Sequence, residues 1–143
     1  MAYHVSIFLE NKAGNFERVT NILKYNEVNI RSISLMHTPN GWGILNLLVS
    51  DPEKAQSVLS SAGLSVALRK IFAFGMDDKP GGLDDVLVKV MKAGVNIINA
   101  YGQLVQRNEQ AMLIVDVENY DEALPLLEAE GLSFLPDDIV YET

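Results

Sequence analysis

Two short turns, each built around a glycine, contain the residues whose types and spacing suit ligand chemistry. They read Asn11-Lys12-Ala13-Gly14 and Asp78-Lys79-Pro80-Gly81. A glycine at the start of a helix lets the backbone turn sharply and leaves unpaired N–H groups at the positive end of the helix dipole. Such a helix start attracts anions, including a carboxylate, and the side chain of Asn11 or Asp78 could take an ammonium group. The pattern therefore suits a small zwitterion.

Side chains suited to catalysis or to metal binding do not form a recognisable set. Cysteine is absent and His4 and His37 are the two histidines, so a zinc site of the cysteine and histidine type cannot be assembled. Catalysis needs a nucleophile, a base or a metal within mutual reach, and the scattered acids suggest no such constellation. We expect no enzyme activity, no catalytic residues, no cofactor and no metal.

Negative charge is concentrated in the second half of the chain. Residues 1–69 carry 6 Lys/Arg and 5 Asp/Glu, a net charge of +1, whereas residues 70–143 carry 5 and 14, a net charge of −9. Nucleic-acid binding requires a basic surface, so we expect neither a nucleic-acid partner nor a membrane partner. The absence of cysteine and of a signal peptide predicts a cytoplasmic protein.

The two turns belong to an internal repeat. They are separated by 78 − 11 = 67 residues, and Val28-Asn29-Ile30 recurs at that offset as Val95-Asn96-Ile97. Gly63-Leu64 recurs as Gly131-Leu132 at 131 − 63 = 68, so one residue is inserted between, and we expect it in a hairpin loop. The sequence predicts two domains, residues 1–69 and 70–143.

Hydrophobic periodicity assigns elements to each copy. Val5, Ile7 and Leu9 occupy every second position, and this period of two is typical of a strand with one buried face. Apolar residues spaced at three and four after each turn predict a helix, and Pro39-Asn40-Gly41 predicts a hairpin between two strands. A second helix begins at Asp51-Pro52.

Each copy therefore has the order β-α-β-β-α-β. Right-handed crossovers turn this order into an α+β fold of two ferredoxin-like units side by side, with antiparallel sheets and helices on one face. Residues 64–70 contain no turn residue, so the last strand of the first copy runs into the first strand of the second. The last strand of the second copy is weakly predicted, because Pro136 and Asp137-Asp138 interrupt it.

At these residues the chain resembles the ACT domain family. The family pattern is a strand, an Asp/Asn-x-Pro-Gly turn, an amphipathic helix, and an apolar-Asn-apolar start of the second strand. The resemblance covers nearly the whole chain twice and looks like a stand-alone tandem ACT-domain protein. It implies a regulatory protein that binds a free amino acid or similar small metabolite between paired units, the turn of one facing the second strand of the next.

The resemblance also implies which residues contact the ligand. In the first copy they are Asn11, Ala13, Gly14, Asn15, Phe16, Ile30, Arg31 and Ser32. In the second copy they are Asp78, Pro80, Gly81, Gly82, Leu83, Ile97, Ile98 and Asn99. Ala13 replaces the proline of the family, so we expect the second turn to be the occupied one. Its acidic surroundings favour a ligand whose side chain is neutral or cationic.

Other interpretations stay open at this point. Each glycine turn can be a tight connection without a ligand, and the chain can be a ligand-independent interaction subunit that holds a partner enzyme. Hydrolysis of small acyl phosphates rests on the fold alone, and neither turn has the arginine that a phosphate-cradling loop needs.

We expect a homodimer, because exposed sheet edges in such units pair.

Overall fold

The chain folds as two compact units in a computed structural model, which describes residues 1–105 and 110–141. The first unit consists of Tyr3–Arg69 together with Tyr141, and the second consists of Lys70–Val140 together with Met1–Ala2. The boundary between the two units, after Arg69, lies within the strand Ser65–Asp77.

The first unit contains two helices between its strands. Its elements are β1 (Ala2–Glu10), α1 (Asn15–Tyr25), β2 (Ile30–His37), β3 (Trp42–Val49), α2 (Pro52–Ser61) and the beginning of β4 (Ser65–Asp77). β3 pairs with β1 and β2 in antiparallel fashion, which gives the order β2-β3-β1-β4. The pairing between β2 and β3 shifts in register between Ile30 and Ser32, so a bulge lies at Arg31.

The second unit repeats this plan. Its elements are the end of β4, α3 (Gly82–Ala93), β5 (Ile97–Val105), β6 (Gln110–Val117), α4 (Tyr120–Ala129) and α5 (Asp137–Tyr141). β6 lies between β4 and β5 and is antiparallel to both. The pairing between β5 and β6 shifts in register between Ile97 and Asn99, which are the equivalents of Ile30 and Ser32 in the first unit. The predicted α+β fold of two ferredoxin-like units is confirmed.

Each unit has a hydrophobic core on one face of its strands. In the first unit, alternate residues of β1 and β3 pack against both helices, through residues that include Val5, Ile7, Val19, Leu47 and Leu59. In the second unit the corresponding residues include Phe72, Phe74, Val90, Val115 and Leu127. Both helices of each unit therefore cover the same sheet face, as the periodicity predicts.

Local sequence signals set the helix starts. The Asp51 side chain accepts a hydrogen bond of 3.1 Å from the Lys54 N–H at the start of α2. The Asn119 side chain accepts one of 3.2 Å from the Glu122 N–H at the start of α4. Both helices begin where a capping side chain precedes them.

The end of the second unit differs from the end of the first. Residues after α4 pair with β4 only briefly, at Phe134 opposite Phe74. The Leu135 N–H donates to the Ala73 carbonyl at 2.9 Å, after which Pro136 ends the pairing and α5 begins. Pro lacks the N–H that a longer ladder would need. The weakly predicted last strand is thus reduced to a single bridge.

The inserted residue lies at the closed end of the second hairpin. His37 pairs with Gly43 in the first unit, and Leu104 pairs with Ala111 in the second. Residues 38–42, five in number, lie between the first two partners, and residues 105–110, six in number, lie between the second two. The connection in the second unit is therefore one residue longer. Residues 106–109 of it are outside the described part of the chain.

Candidate functional site

The two glycine turns have nearly the same geometry. Gly14 has φ 89° and ψ −18°, and Gly81 has φ 89° and ψ −11°, so both occupy the left-handed region that favours glycine. Each is the residue before a helix, and neither helix start has a side-chain cap. The predicted sharp turn at the start of each helix is confirmed.

The N–H groups at these helix starts are partly used within the turn. The Asn15 N–H donates to the Lys12 carbonyl at 3.2 Å, and the Gly82 N–H donates to the Lys79 carbonyl at 3.0 Å. The next N–H groups belong to the first helical turn, which lacks intrahelical acceptors. Asp84 and Asp85 stand in the first turn of α3 and oppose an anion there. A ligand carboxylate is therefore less favoured at α3 than the glycine pattern alone predicts.

Side chains of the first turn contact the end of β2 and the backbone at the end of β1. The Asn11 side-chain nitrogen lies 3.0 Å from Nδ1 of His37, and the Asn15 side chain donates to the Glu10 carbonyl at 2.8 Å. Phe16 is half-buried and packs against the first core. The adjoining cavity measures about 30 Å³, room for a water or two. This cavity beside the first turn is too small for an amino acid.

The second turn borders a much larger cavity. Gly82 is buried and forms part of its wall, and the cavity volume is about 270 Å³. Asp78, Pro80, Gly81 and Leu83 are exposed. The two turns are therefore unequal, although their backbones match.

Charged and apolar side chains share the wall of this cavity. Its polar side chains come from β4, α3, β6 and the segment after α4, and they are Asp77, Asp85, Lys89, Gln110 and Ser133. Its apolar side chains are Met76, Val86, Leu132 and Leu135. The Lys89 ammonium reaches the Gly131 carbonyl at 3.5 Å. Both signs of charge thus border one small space.

Sequence reasoning missed this cavity, although the repeat contains a signal for it. In the first unit the rings of Phe8 and Trp42 stack with centroids 4.8 Å apart. The equivalent residues are Gly75, at 75 − 8 = 67, and Gln110, at 110 − 42 = 68, and both line the cavity. Glycine and glutamine thus stand in the second unit where the first unit has two aromatic residues.

The predicted ligand residues on the second strands lie far from the turns of their own units. Ile30 pairs with Val49, whereas Glu10 at the turn pairs with Trp42. The two pairs are 49 − 42 = 7 residue steps apart along β3, roughly 23 Å at about 3.3 Å per residue. The structure therefore brings the five turn residues of the first copy together but leaves Ile30, Arg31 and Ser32 at the other end of the unit.

The second unit has the same separation. Ile97 pairs with Val117 at one end of β6, and Asp77 pairs with Gln110 at the other. Ile97 and Ile98 are exposed, whereas the side-chain nitrogen of Asn99 is buried and finds no hydrogen-bond partner within residues 1–105 and 110–141. One ligand cannot touch both predicted groups of residues within one unit.

One titratable group on β5 is strongly perturbed. Burial raises the pKa of Tyr101 well above its ordinary value, and the nearby charge of Asp116 raises this pKa further. The phenol therefore stays protonated near neutral pH and offers no base.

Within the described residues, no group of three or more acidic, histidine or cysteine side chains could hold a metal ion. None of the helices described here has the length and apolarity to span a membrane.

Comparison with known proteins places this architecture in a family. The sequence profile described as "ACT domain pair" matches residues 1–142. The chain belongs to the ACT domain pair family. The resemblance noted from the two turns is thereby confirmed. No curated protein sequence matches the chain.

Solved structures share the fold of this ACT domain pair. Protein BT0572 from Bacteroides thetaiotaomicron is 28% identical with a TM-score of 0.86, over 99% of this chain and 96% of that one. The regulatory subunit of aspartate kinase from Thermus thermophilus, in its ligand-free form, is 17% identical with a TM-score of 0.59, over 90% and 92%. The corresponding subunit from Thermus flavus is 17% identical with a TM-score of 0.56, over 92% and 94%. At this identity the two subunits show similarity of fold alone.

Proposed function

We propose that this ACT domain pair is a non-catalytic regulatory protein of the cytoplasm that binds a free amino acid or a similar small metabolite. The main support is the pair of matching glycine turns, each with a φ of 89° at an uncapped helix start. A zwitterion suits such a place, because backbone N–H groups and polar side chains meet there.

A second copy of the chain completes the site in this proposal. The turn and the start of the second strand lie at opposite ends of one unit, so both can reach a ligand only from different units. Antiparallel pairing of β5 with β5 of a second copy puts the Ile97 end of one strand beside the Val105 end of the other. The Val105 end pairs with Gln110, at the same end of the unit as the turn.

The composition of β5 supports this homodimer. β5 is an edge strand among the described strands of the second unit, and none of its nine residues is charged. Soluble proteins normally protect such an edge with charged residues or proline. β2, the edge strand of the first unit, contains Arg31 and His37. We therefore assign the dimer contact to β5.

A ligand-independent interaction subunit is the second candidate. Leu83, Leu87 and Met91 follow one another at intervals of four on α3 and are 46%, 37% and 68% exposed. The equivalents in the first unit at an offset of 67 are Phe16, Thr20 and Lys24. An apolar stripe confined to one copy suits a partner protein, such as an enzyme.

Binding to the full chain distinguishes these functions. We expect at least one amino acid of a panel of the common ones, tested at millimolar concentration, to raise the melting temperature. Gly81→Val should reduce that shift, and Gly63→Val, which strains another exposed glycine with a similar φ, should not. If no amino acid or related metabolite shifts the melting temperature, the proposal is wrong. Retention of the same partner enzyme with and without amino acids would favour the interaction subunit.

A further inference from the structure

The residues that line the cavity of the second unit differ in type from their equivalents in the first unit. In the first unit the Arg18 guanidinium donates to the Ala62 carbonyl at 2.6 Å, at the end of α2. Asp85 is the equivalent of Arg18, at 85 − 18 = 67, and it lines the cavity. A cation at the end of the second helix in one copy is thus replaced by an acid in the other. The end of a helix favours a cation.

Lys89 replaces the Arg18 cation only in part. It stands one helical turn after Asp85 and reaches the Gly131 carbonyl at 3.5 Å, longer than the Arg18 contact. The cavity beside the carboxylates of Asp77 and Asp85 measures about 270 Å³. The second unit therefore has acidic side chains and a helix end that favour a cation, but no side chain equivalent to the Arg18 guanidinium.

The charges around the cavity match one kind of small molecule. Two carboxylates, Asp77 and Asp85, and one ammonium group, Lys89, line it. Asp77 also pairs with Lys79 at 3.5 Å, but both side chains are more than half exposed, so the pair is weak. An amino acid with a basic side chain has two cationic groups and one carboxylate. Its charges are the complement of those in the wall.

We infer that the cavity between α3 and the segment after α4 binds a free amino acid with a cationic side chain. The side-chain cation lies at Asp85, where the first unit has its own guanidinium, and the carboxylate lies at Lys89. The methylene groups of the ligand contact Val86 and Leu132. A volume of about 270 Å³ is at the small end of ligand pockets, which suits one amino acid and excludes a nucleotide.

This inference rests on the proposed amino-acid-binding function and adds a ligand class and a place within a single unit. It does not need the second copy that completes the site at the turn. Asp85 lines the cavity but is not one of the turn residues 78–83, so a substitution at this position separates the cavity from the turn.

Calorimetric titration of the full chain with L-lysine, L-ornithine and L-arginine tests the inference. L-norleucine, which has the length of lysine without the terminal ammonium, should bind at least about tenfold more weakly, because it lacks the cation that Asp85 receives. Asp85→Asn should weaken binding of the basic amino acids by about tenfold or more. Asp84→Asn removes the same charge from the neighbouring residue, which does not line the cavity, and should leave affinity within about twofold.

Gln110→Trp is the second variant. It restores the tryptophan of the first unit at an exposed position, so it should fill the cavity without unfolding the chain, and binding should be lost.

Loss of binding in Asp85→Asn and Gln110→Trp, with retention in Asp84→Asn, supports the inference. Equal effects of Asp85→Asn and Asp84→Asn overturn it. Binding of other amino acids with sensitivity only to Gly81→Val also overturns it but leaves the proposed function standing. No binding of any amino acid overturns both.

Discussion

A β-carbon at position 82 would overlap the carbonyl oxygen of Asp77, so Gly82 is the residue that lets the second turn close against β4. The N–H of Gly82 also donates to the Lys79 carbonyl at 3.0 Å, which fixes its place in the turn. The carbonyl that a side chain would meet belongs to the backbone and cannot rotate away. The turn must therefore open if this glycine is replaced.

Gly82→Ala should reduce the free energy of unfolding by about 1–3 kcal/mol, the usual cost of forcing extra atoms into a packed place. Denaturant unfolding followed by circular dichroism measures it. Asn15→Ala is the matched control, because the equivalent position of the first turn already has a β-carbon. It loses one exposed hydrogen bond to the Glu10 carbonyl and should cost about 0.5 kcal/mol. A Gly82→Ala variant as stable as Asn15→Ala would contradict the closed turn.

The stack of Phe8 on Trp42 gives the first unit its own optical probe. Trp42 is the one tryptophan of the sequence, and its ring is nearly parallel to that of Phe8, at an angle of 8°. Phe8→Ala should reduce the free energy of unfolding by about 1 kcal/mol and shift the tryptophan emission to longer wavelength, because aromatic pairs contribute about 0.5–1.5 kcal/mol beyond buried area. Phe8→Tyr keeps the ring and should preserve both values. Unchanged emission in Phe8→Ala would show that the rings do not stack in solution.

Local signals made the turns and the capped helices predictable from sequence. Gly14 and Gly81 adopt positive φ because the chain must reverse before a helix, and a residue without a side chain does this without strain. Asp51 and Asn119 precede their helices by one residue, so their caps follow from adjacent residues alone.

Features that depend on residues distant in sequence were not predictable in this way. The cavity is lined by residues of β4, α3, β6 and the segment after α4, which are far apart in sequence, and a search for similarity between the repeats does not detect such a grouping. The helix α5 did have a local signal. Pro136 followed by Asp137 and Asp138 is typical of a helix start, but we interpreted these residues as interruptions of a strand.

The buried phenol of Tyr101 should make stability fall at alkaline pH. Its folded pKa is raised above the ordinary value of 10, first by burial and then by Asp116, so the unfolded chain loses this proton at lower pH than the folded one. The stabilisation is therefore complete below pH 10 and is lost as the pH rises toward the folded pKa. Tyr101→Phe should reduce the decline in unfolding free energy between pH 9 and pH 11. Tyr25→Phe, at a position that is 77% exposed, should leave the decline unchanged. Equal slopes for all three proteins would contradict the burial of Tyr101.

The uncharged edge of β5 should be the contact between two copies. Ala100 is exposed near the middle of the strand, so a twofold pairing places it close to its counterpart in the second copy. Ala100→Lys puts two like charges near each other in that contact and should convert a dimer into monomers, measured by sedimentation equilibrium at micromolar concentration. Ser34→Lys introduces the same charge on the β2 edge and should leave the dimer intact. If Ser34→Lys and not Ala100→Lys produces monomers, the first unit forms the contact, and the ligand site completed by a second copy belongs to the first turn.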